Sequence, residues 1–120
     1  MRQYKFRALL TLDPPERDGA VKEYPSGTHS LMVRCGRLRR PAEHRYFPAE
    51  IYRIDEQPLK PGDTGVVATI EIDDEEACEF LGPGQHVTLW NGRDCGHGII
   101  SRRVFFTWAI YPRSANVPEP

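Results

Sequence analysis

The chain has 120 residues, enough for one domain with a compact core and too few for a nucleotide-processing domain beside a separate substrate domain. Its 16 Lys and Arg face 17 Asp and Glu, and the net charge of −1 excludes a global field steering it toward nucleic acid or membrane. With 39% hydrophobic residues, 28% charged residues, 10 Gly and 11 Pro, it is neither a helical bundle nor a disordered tail, and a soluble, turn-rich β domain is expected.

In chain order, the first segment, residues 4–13, places Phe6, Ala8, Leu10 and Leu12 on one face and Lys5, Arg7 and Thr11 on the other, the period-2 mark of a half-buried strand. Asp13-Pro14-Pro15 stops it, and residues 16–27 form a polar, turn-rich connection. A second strand begins near Thr28. There His29, Leu31, Val33 and Cys35 alternate with Ser30, Met32 and Arg34, and either set can face inward. Residues 36–45 are the most basic stretch, with Arg37, Arg39, Arg40 and Arg45 against Glu43, and read as a loop because of Pro41 and their short length. A third strand is expected over 47–54.

Pro61-Gly62-Asp63 then supplies a turn in which proline presets φ and glycine accepts a positive one. The fourth strand, 65–72, alternates Val66, Ala68, Ile70 and Ile72 with Val67, Thr69 and Glu71. The acidic run Asp73-Asp74-Glu75-Glu76 opens an exposed loop holding one helical turn at most. A fifth strand, 85–90, ends at Asn91-Gly92, the dipeptide best suited to a tight chain reversal. A sixth, 95–106, carries Gly96 and Gly98 where a bulge or close backbone approach is expected. The polar tail 111–120 lacks the apolar content to order itself, which leaves one domain over 1–110.

The chain shows no Gly-rich loop ending in Gly-Lys-Ser/Thr, so binding of a nucleoside triphosphate by this chain alone is not expected. Cys95 and His97, with His86 on a neighbouring strand, make a single half-site for a metal; the plain reading is a packed thiol and hydrogen-bonded histidines, and no metal or cofactor is expected. Nucleophilic chemistry on Cys78, Cys95 or Ser101 has no local signature. Three cysteines without close spacing argue for reduced thiols, and the absence of an apolar signal core or membrane-length apolar run points to a cytoplasmic, membrane-free protein. For nucleic acid, the candidates are the arginine stretch beside Tyr46 and Phe47 and Arg102-Arg103 beside Phe105 and Phe106. Consecutive arginines on a strand point to opposite faces, so only one of Arg102 and Arg103 can join a given patch.

Pro61-Gly62-Asp63 leading into a strand, followed by Gly92-Arg93-Asp94-Cys95-Gly96-His97-Gly98-Ile99-Ile100, resembles the C-terminal β-barrel, the third domain, of elongation factor Tu. The resemblance spans about residues 5–104. In that family a Pro-Gly-Asp turn enters the fourth strand and a hairpin of the form Gly-Arg-Thr-Val-Gly-Ala-Gly-Val-Val closes the barrel. The resemblance implies an all-β, closed, six-stranded antiparallel barrel of Greek-key type. It also implies a binding role without catalysis, because the family domain packs on a GTPase domain and helps hold the T-stem of aminoacyl-tRNA. Residues 36–45, Cys95 and His97 depart from the family pattern and suggest a branch with its own partner. The expectation is a stand-alone binding module contacting tRNA or a translation-related protein through Arg37, Arg39, Arg40, Asn91, Gly92 and Arg93. A protein-interaction module without an RNA role is the alternative, and a metal or thiol enzyme built on Cys95, His97 and His86 the third.

Overall fold

The computed structural model describes residues 4–14 and 23–104. The expected tail at 111–120, the aromatic pair Phe105 and Phe106, and most of the connection at 16–27 lie outside the described residues. Among the described residues seven strands form one sheet: β1 (Tyr4–Leu12), β2 (Met32–Arg37), β3 (Arg40–Pro48), β4 (Glu50–Arg53), β5 (Val66–Ile72), β6 (His86–Trp90) and β7 (Asp94–Val104). One five-residue 3-10 turn, Glu75–Glu79, interrupts them. The spatial order is β3-β2-β6-β7-β1-β5-β4, and every neighbouring pair is antiparallel.

The all-β, antiparallel class expected from the sequence is therefore present, with seven strands in place of six and a ladder left open between β3 and β4. The extra strand has a local cause. The 36–45 stretch is not a loop, because after a turn at Leu38 and Arg39 the chain pairs back on β2 from Arg40 onward. Pro41 is tolerated because β3 is an edge strand, where a missing N–H breaks no ladder on its free side. The third strand expected over 47–54 is divided at Ala49 into the end of β3 and all of β4.

That division shapes the molecule. The outer strands of a flat seven-stranded sheet stand about 29 Å apart, six spacings of strand pairing. Here β3 and β4 occupy the two outer positions and one residue, Ala49, joins them, so the sheet curls until its edges approach. The free side of β4 is covered in turn. The Gly27 N–H donates to the Ile51 carbonyl at 2.8 Å, and the Ile51 N–H to the Thr28 carbonyl at 3.3 Å.

The curl encloses the alternating apolar residues. Phe6, Ala8, Leu10 and Leu12 of β1, Val33 and Cys35 of β2, Phe47 of β3, Ile51 of β4, and Val66, Ala68, Ile70 and Ile72 of β5 are all buried. Val87 and Leu89 of β6 and Ile100 of β7 complete the wall. The open choice in the second strand is thus settled: Leu31, Val33 and Cys35 face inward, and Met32 and Arg34 outward. Phe80 and Leu81, after the 3-10 turn, are buried with them, Phe80 meeting Phe47 edge-on at 5.2 Å between ring centroids.

The two motifs that carried the family resemblance adopt the turns their residues imply. Gly62 has φ +90° and the Asp63 N–H donates to the Lys60 carbonyl at 3.0 Å, which closes the Pro-Gly-Asp turn ahead of β5. Gly92 has φ +113° in the reversal between β6 and β7. Gly96 and Gly98 answer the close-approach expectation. A Cβ on Gly98 would lie 2.5 Å from Leu10 Cδ2 and 2.7 Å from the Leu9 carbonyl, and one on Gly96 2.7 Å from the Thr11 carbonyl. The irregularity expected near them is present as shifts of register between Leu89 and Trp90, and between Arg7 and Ala8 against β7.

Candidate binding surfaces

The six residues expected to form one surface occupy two ends of the sheet. Arg37, Arg39 and Arg40 lie at the β2–β3 turn, and Asn91, Gly92 and Arg93 at the β6–β7 turn. In the β2–β6 register Met32 stands opposite Trp90 and Arg34 opposite Thr88, so Asn91 adjoins the start of β2 whereas Arg37 is at its end. Gln85 Nε2 donates to the Gly36 carbonyl at 2.8 Å, which marks that far end. Five residues of strand, about 17 Å, separate the two sets.

At the β2–β3 end the arginines are matched by acids. Arg37 Nε donates to Glu43 Oε2 at 2.7 Å, and its Nη1 pairs with Glu79. Arg45 Nη2 donates to Asp74 Oδ2 at 2.5 Å, and its Nη1 pairs with Glu76. Each guanidinium also lies over a buried ring, Arg37 at 4.7 Å from the Phe80 centroid and Arg45 at 4.6 Å from that of Phe47. Asp74 caps the 3-10 turn through its carboxylate, which accepts from the Glu76 N–H at 2.9 Å. The acidic run and the basic stretch, separate solvated features in the sequence, thus neutralise one another. Arg40 is within 3.9 Å of Glu43 and its side chain is 78% exposed, and Arg39 is exposed beside it. At the other end Asn91 Nδ2 donates to the Tyr24 hydroxyl at 2.5 Å, and Arg93 is exposed.

A second cluster follows from register alone. Tyr46 on β3 and Trp90 on β6 lean over the intervening β2 and meet edge-on at 5.2 Å. Arg34 on β2 lies 5.9 Å from the Tyr46 centroid and donates to Asp94 and to Thr88 Oγ1, each at 3.3 Å. Phe47, paired with Tyr46 in the sequence reading, belongs to the core instead, as alternation along β3 requires.

The outer face of β7, β1, β5 and β4 carries three rows set by the ladder. One is Val104, Lys5, Glu71 and Glu50; the next is Arg102, Arg7, Thr69 and Tyr52; the third is Ile99, Leu9 and Val67. Ile54 continues the third row, its N–H donating to the Val67 carbonyl at 3.1 Å. Leu9, Val67 and Ile54 are 43%, 42% and 52% exposed, which makes a run of exposed apolar side chains across β1, β5 and the turn beyond β4, beside the half-buried Ile99 of β7. Sequence reasoning named neither this row nor Arg34 and Trp90. A signal was present, since Leu9 and Val67 are large apolar residues on the otherwise polar faces of two alternating strands.

Arg102 and Arg103 do point to opposite faces. Arg103 turns to the loop after the 3-10 turn, donating to the carbonyls of Cys78 and Leu81, whereas Arg102 pairs in register with Arg7. The groups considered for metal or thiol chemistry do not converge. His86 and His97 are exposed, and among the described residues no set of three His, Cys, Asp or Glu is placed to hold a metal ion. All three thiols are free, and burial pushes each of them up from its ordinary value, opposite to what a nucleophilic thiolate needs. Cys35, fully inside, donates to the Phe80 carbonyl at 3.2 Å. Among the described residues no helix is long and apolar enough to cross a membrane.

Compared with family models, curated proteins and solved structures, the chain matches none.

Proposed function

We propose that the protein is a non-catalytic binding module that docks a protein partner on the outer face of β7, β1, β5 and β4. The observation that carries this reading is the row Ile99, Leu9, Val67 and Ile54, apolar side chains aligned by the ladder, of which Leu9, Val67 and Ile54 are exposed and Ile99 half-buried. Burying apolar surface yields roughly 25 cal/mol per Å², so a row of this kind favours association with a complementary apolar strip. On this reading the fold is a variant of the Greek-key barrel of the elongation factor Tu third domain, with chain continuity through Ala49 standing where a closing ladder would be. A cytoplasmic location and a translation-related partner belong to the same proposal.

The test is affinity capture from nuclease-treated lysate with the intact protein and a Leu9→Lys, Val67→Lys double variant. A defined protein retained by the first and lost by the second, at equal thermal stability, supports the reading. Equal retention by both rejects it.

A second reading, contact with tRNA, is favoured by the Arg34, Tyr46 and Trp90 cluster, since a cation beside exposed rings suits phosphate contact with base stacking. Arg39, Arg40 and Arg93 would add phosphate contacts, while Arg37 and Arg45 are occupied by carboxylates. Titration with tRNA at low salt is expected to show binding that falls steeply with added salt and is lost in Trp90→Ala. No binding at low salt removes this reading.

A further inference from the structure

Beside the apolar row lies a feature that the fold does not use. Arg7 and Arg102 are cross-strand partners on the outer face of β1 and β7, at a register shift where Ser101 is the additional residue and donates its hydroxyl to the Arg7 carbonyl at 3.1 Å. Two cations directly opposite on neighbouring strands repel one another. No described carboxylate relieves them: Glu71, one row away, is engaged by Lys5 Nζ at 3.7 Å, and Glu50 accepts from the Tyr52 hydroxyl at 2.6 Å. Arg7 Nε, moreover, is buried and has no hydrogen-bond partner among the described residues. A buried donor left unsatisfied is destabilising, and the fold bears that cost at a site flanked by a second guanidinium and an exposed apolar strip.

We infer that Arg7 and Arg102 form a seat for a carboxylate side chain of an acidic protein segment, whose neighbouring apolar side chain rests on Leu9, Val67 and Ile99. The inference deepens the protein-binding reading and rests on it. Charge complementarity selects the occupant. Two guanidinium forks donate bidentately to an oxyanion, and the adjoining row is spaced for the alternate side chain of an extended chain, which repeats on one face every second residue. A nucleic acid would satisfy the guanidinium pair but leave the aliphatic row in water. Tyr52 and Thr69 border the seat in the same row as Arg7 and supply polar edges.

The experiment uses the full chain and two probes, a blocked pentapeptide with glutamate at its second position and valine at its fourth, which share one face of an extended chain, and inorganic phosphate. Nitrogen-15 spectra follow the arginine Nε–H resonances of Arg7 and Arg102, and carbon-13 spectra the methyl groups of Leu9, Val67 and Ile99. The peptide is expected to shift both sets saturably, and replacing its glutamate by glutamine or making Arg102→Gln to weaken it about tenfold, as loss of one charge-assisted contact implies. Arg7→Lys is expected to weaken it similarly, because an ammonium keeps the charge and loses the fork. Arg102→Gln, being exposed, tests the seat at unchanged melting temperature. The inference is overturned if the glutamine peptide binds equally, or if nothing saturates below about 10 mM at low salt, a dissociation constant too weak for a built contact. It is overturned also if phosphate shifts the guanidinium signals as tightly as the peptide does while the methyl signals stay still, which would make the seat a free-phosphate site. Failure here leaves the capture experiment on Leu9 and Val67 unaffected, so the two readings fall separately.

Discussion

Two groups of arginines in this molecule behave in opposite ways. Arg37 and Arg45, from the most basic stretch of the chain, are held by Glu43, Glu79, Asp74 and Glu76 and laid over buried rings. Arg7 and Arg102, almost the length of the described chain apart in sequence, are brought side by side with no ion pair to a described carboxylate. Linear charge density therefore does not reveal which arginines are left without a described carboxylate. A cluster of like charges in sequence recruits opposite charges during folding, because unmatched neighbours are costly. A pair created by strand register has no such partner built in, and a surface that tolerates it retains the capacity to bind an anion.

The contrast can be broken most forcefully at the glycines that set the two registers. A Cβ on Gly36 would lie 2.4 Å from the Pro41 carbonyl, and on Gly98 2.7 Å from the Leu9 carbonyl, both against backbone. Gly36→Ala and Gly98→Ala are each expected to cost about 3 kcal/mol in urea unfolding, since overpacking against main chain cannot relax by rotamer change. Gly98→Ala should also move the Arg102 resonances, whereas Gly36→Ala should leave them in place.

Removing the matched pair comes next. The Arg37→Ala, Arg45→Ala double variant is expected to be slightly less stable, because these side chains are solvated, and to lose much of the salt dependence of stability. Removing one member of the unmatched pair should do the reverse. Arg102→Gln is expected to leave stability unchanged or to raise it by up to about 0.5 kcal/mol through relief of like-charge repulsion, read from the same unfolding curves.

The smallest effect concerns Tyr52, at the edge of the unmatched row. Its hydrogen bond to Glu50, with desolvation behind it, pushes the phenol up to about 12 from 10.0. Because the native state favours the neutral phenol, the stabilisation is complete below pH 10 and lost as pH rises through about 12. Glu50→Gln is expected to bring the Tyr52 titration back toward 10.0, followed by ultraviolet difference absorbance. A titration still near 12 in that variant would assign the shift to burial alone.

Much of the fold was legible because alternation has only one period. Phe6, Ala8, Leu10 and Leu12, and Val66, Ala68, Ile70 and Ile72, face inward as their spacing requires. The turns at Gly62 and Gly92 were equally legible, since few residues accept a positive φ. The 36–45 stretch was not. Proline and a run of charges read as loop, and nothing local reveals that β3 is an edge strand on which proline costs no ladder bond. The candidate surface was read in pieces: Arg39, Arg40 and Arg93 are exposed as expected, but they lie at separate ends, and Arg37 is neutralised.

The sequence alone settled the inward faces of β1 and β5, the reversals at Gly62 and Gly92, and that strands rather than helices do the work, because these follow from neighbours within a few residues. Only the tertiary structure decided which charges meet. Strand order and register place Arg7 beside Arg102, Leu9 between Val67 and Ile99, and Tyr46 against Trp90, and pairings across such distances along the chain are fixed by the ladder of backbone hydrogen bonds rather than by any local pattern.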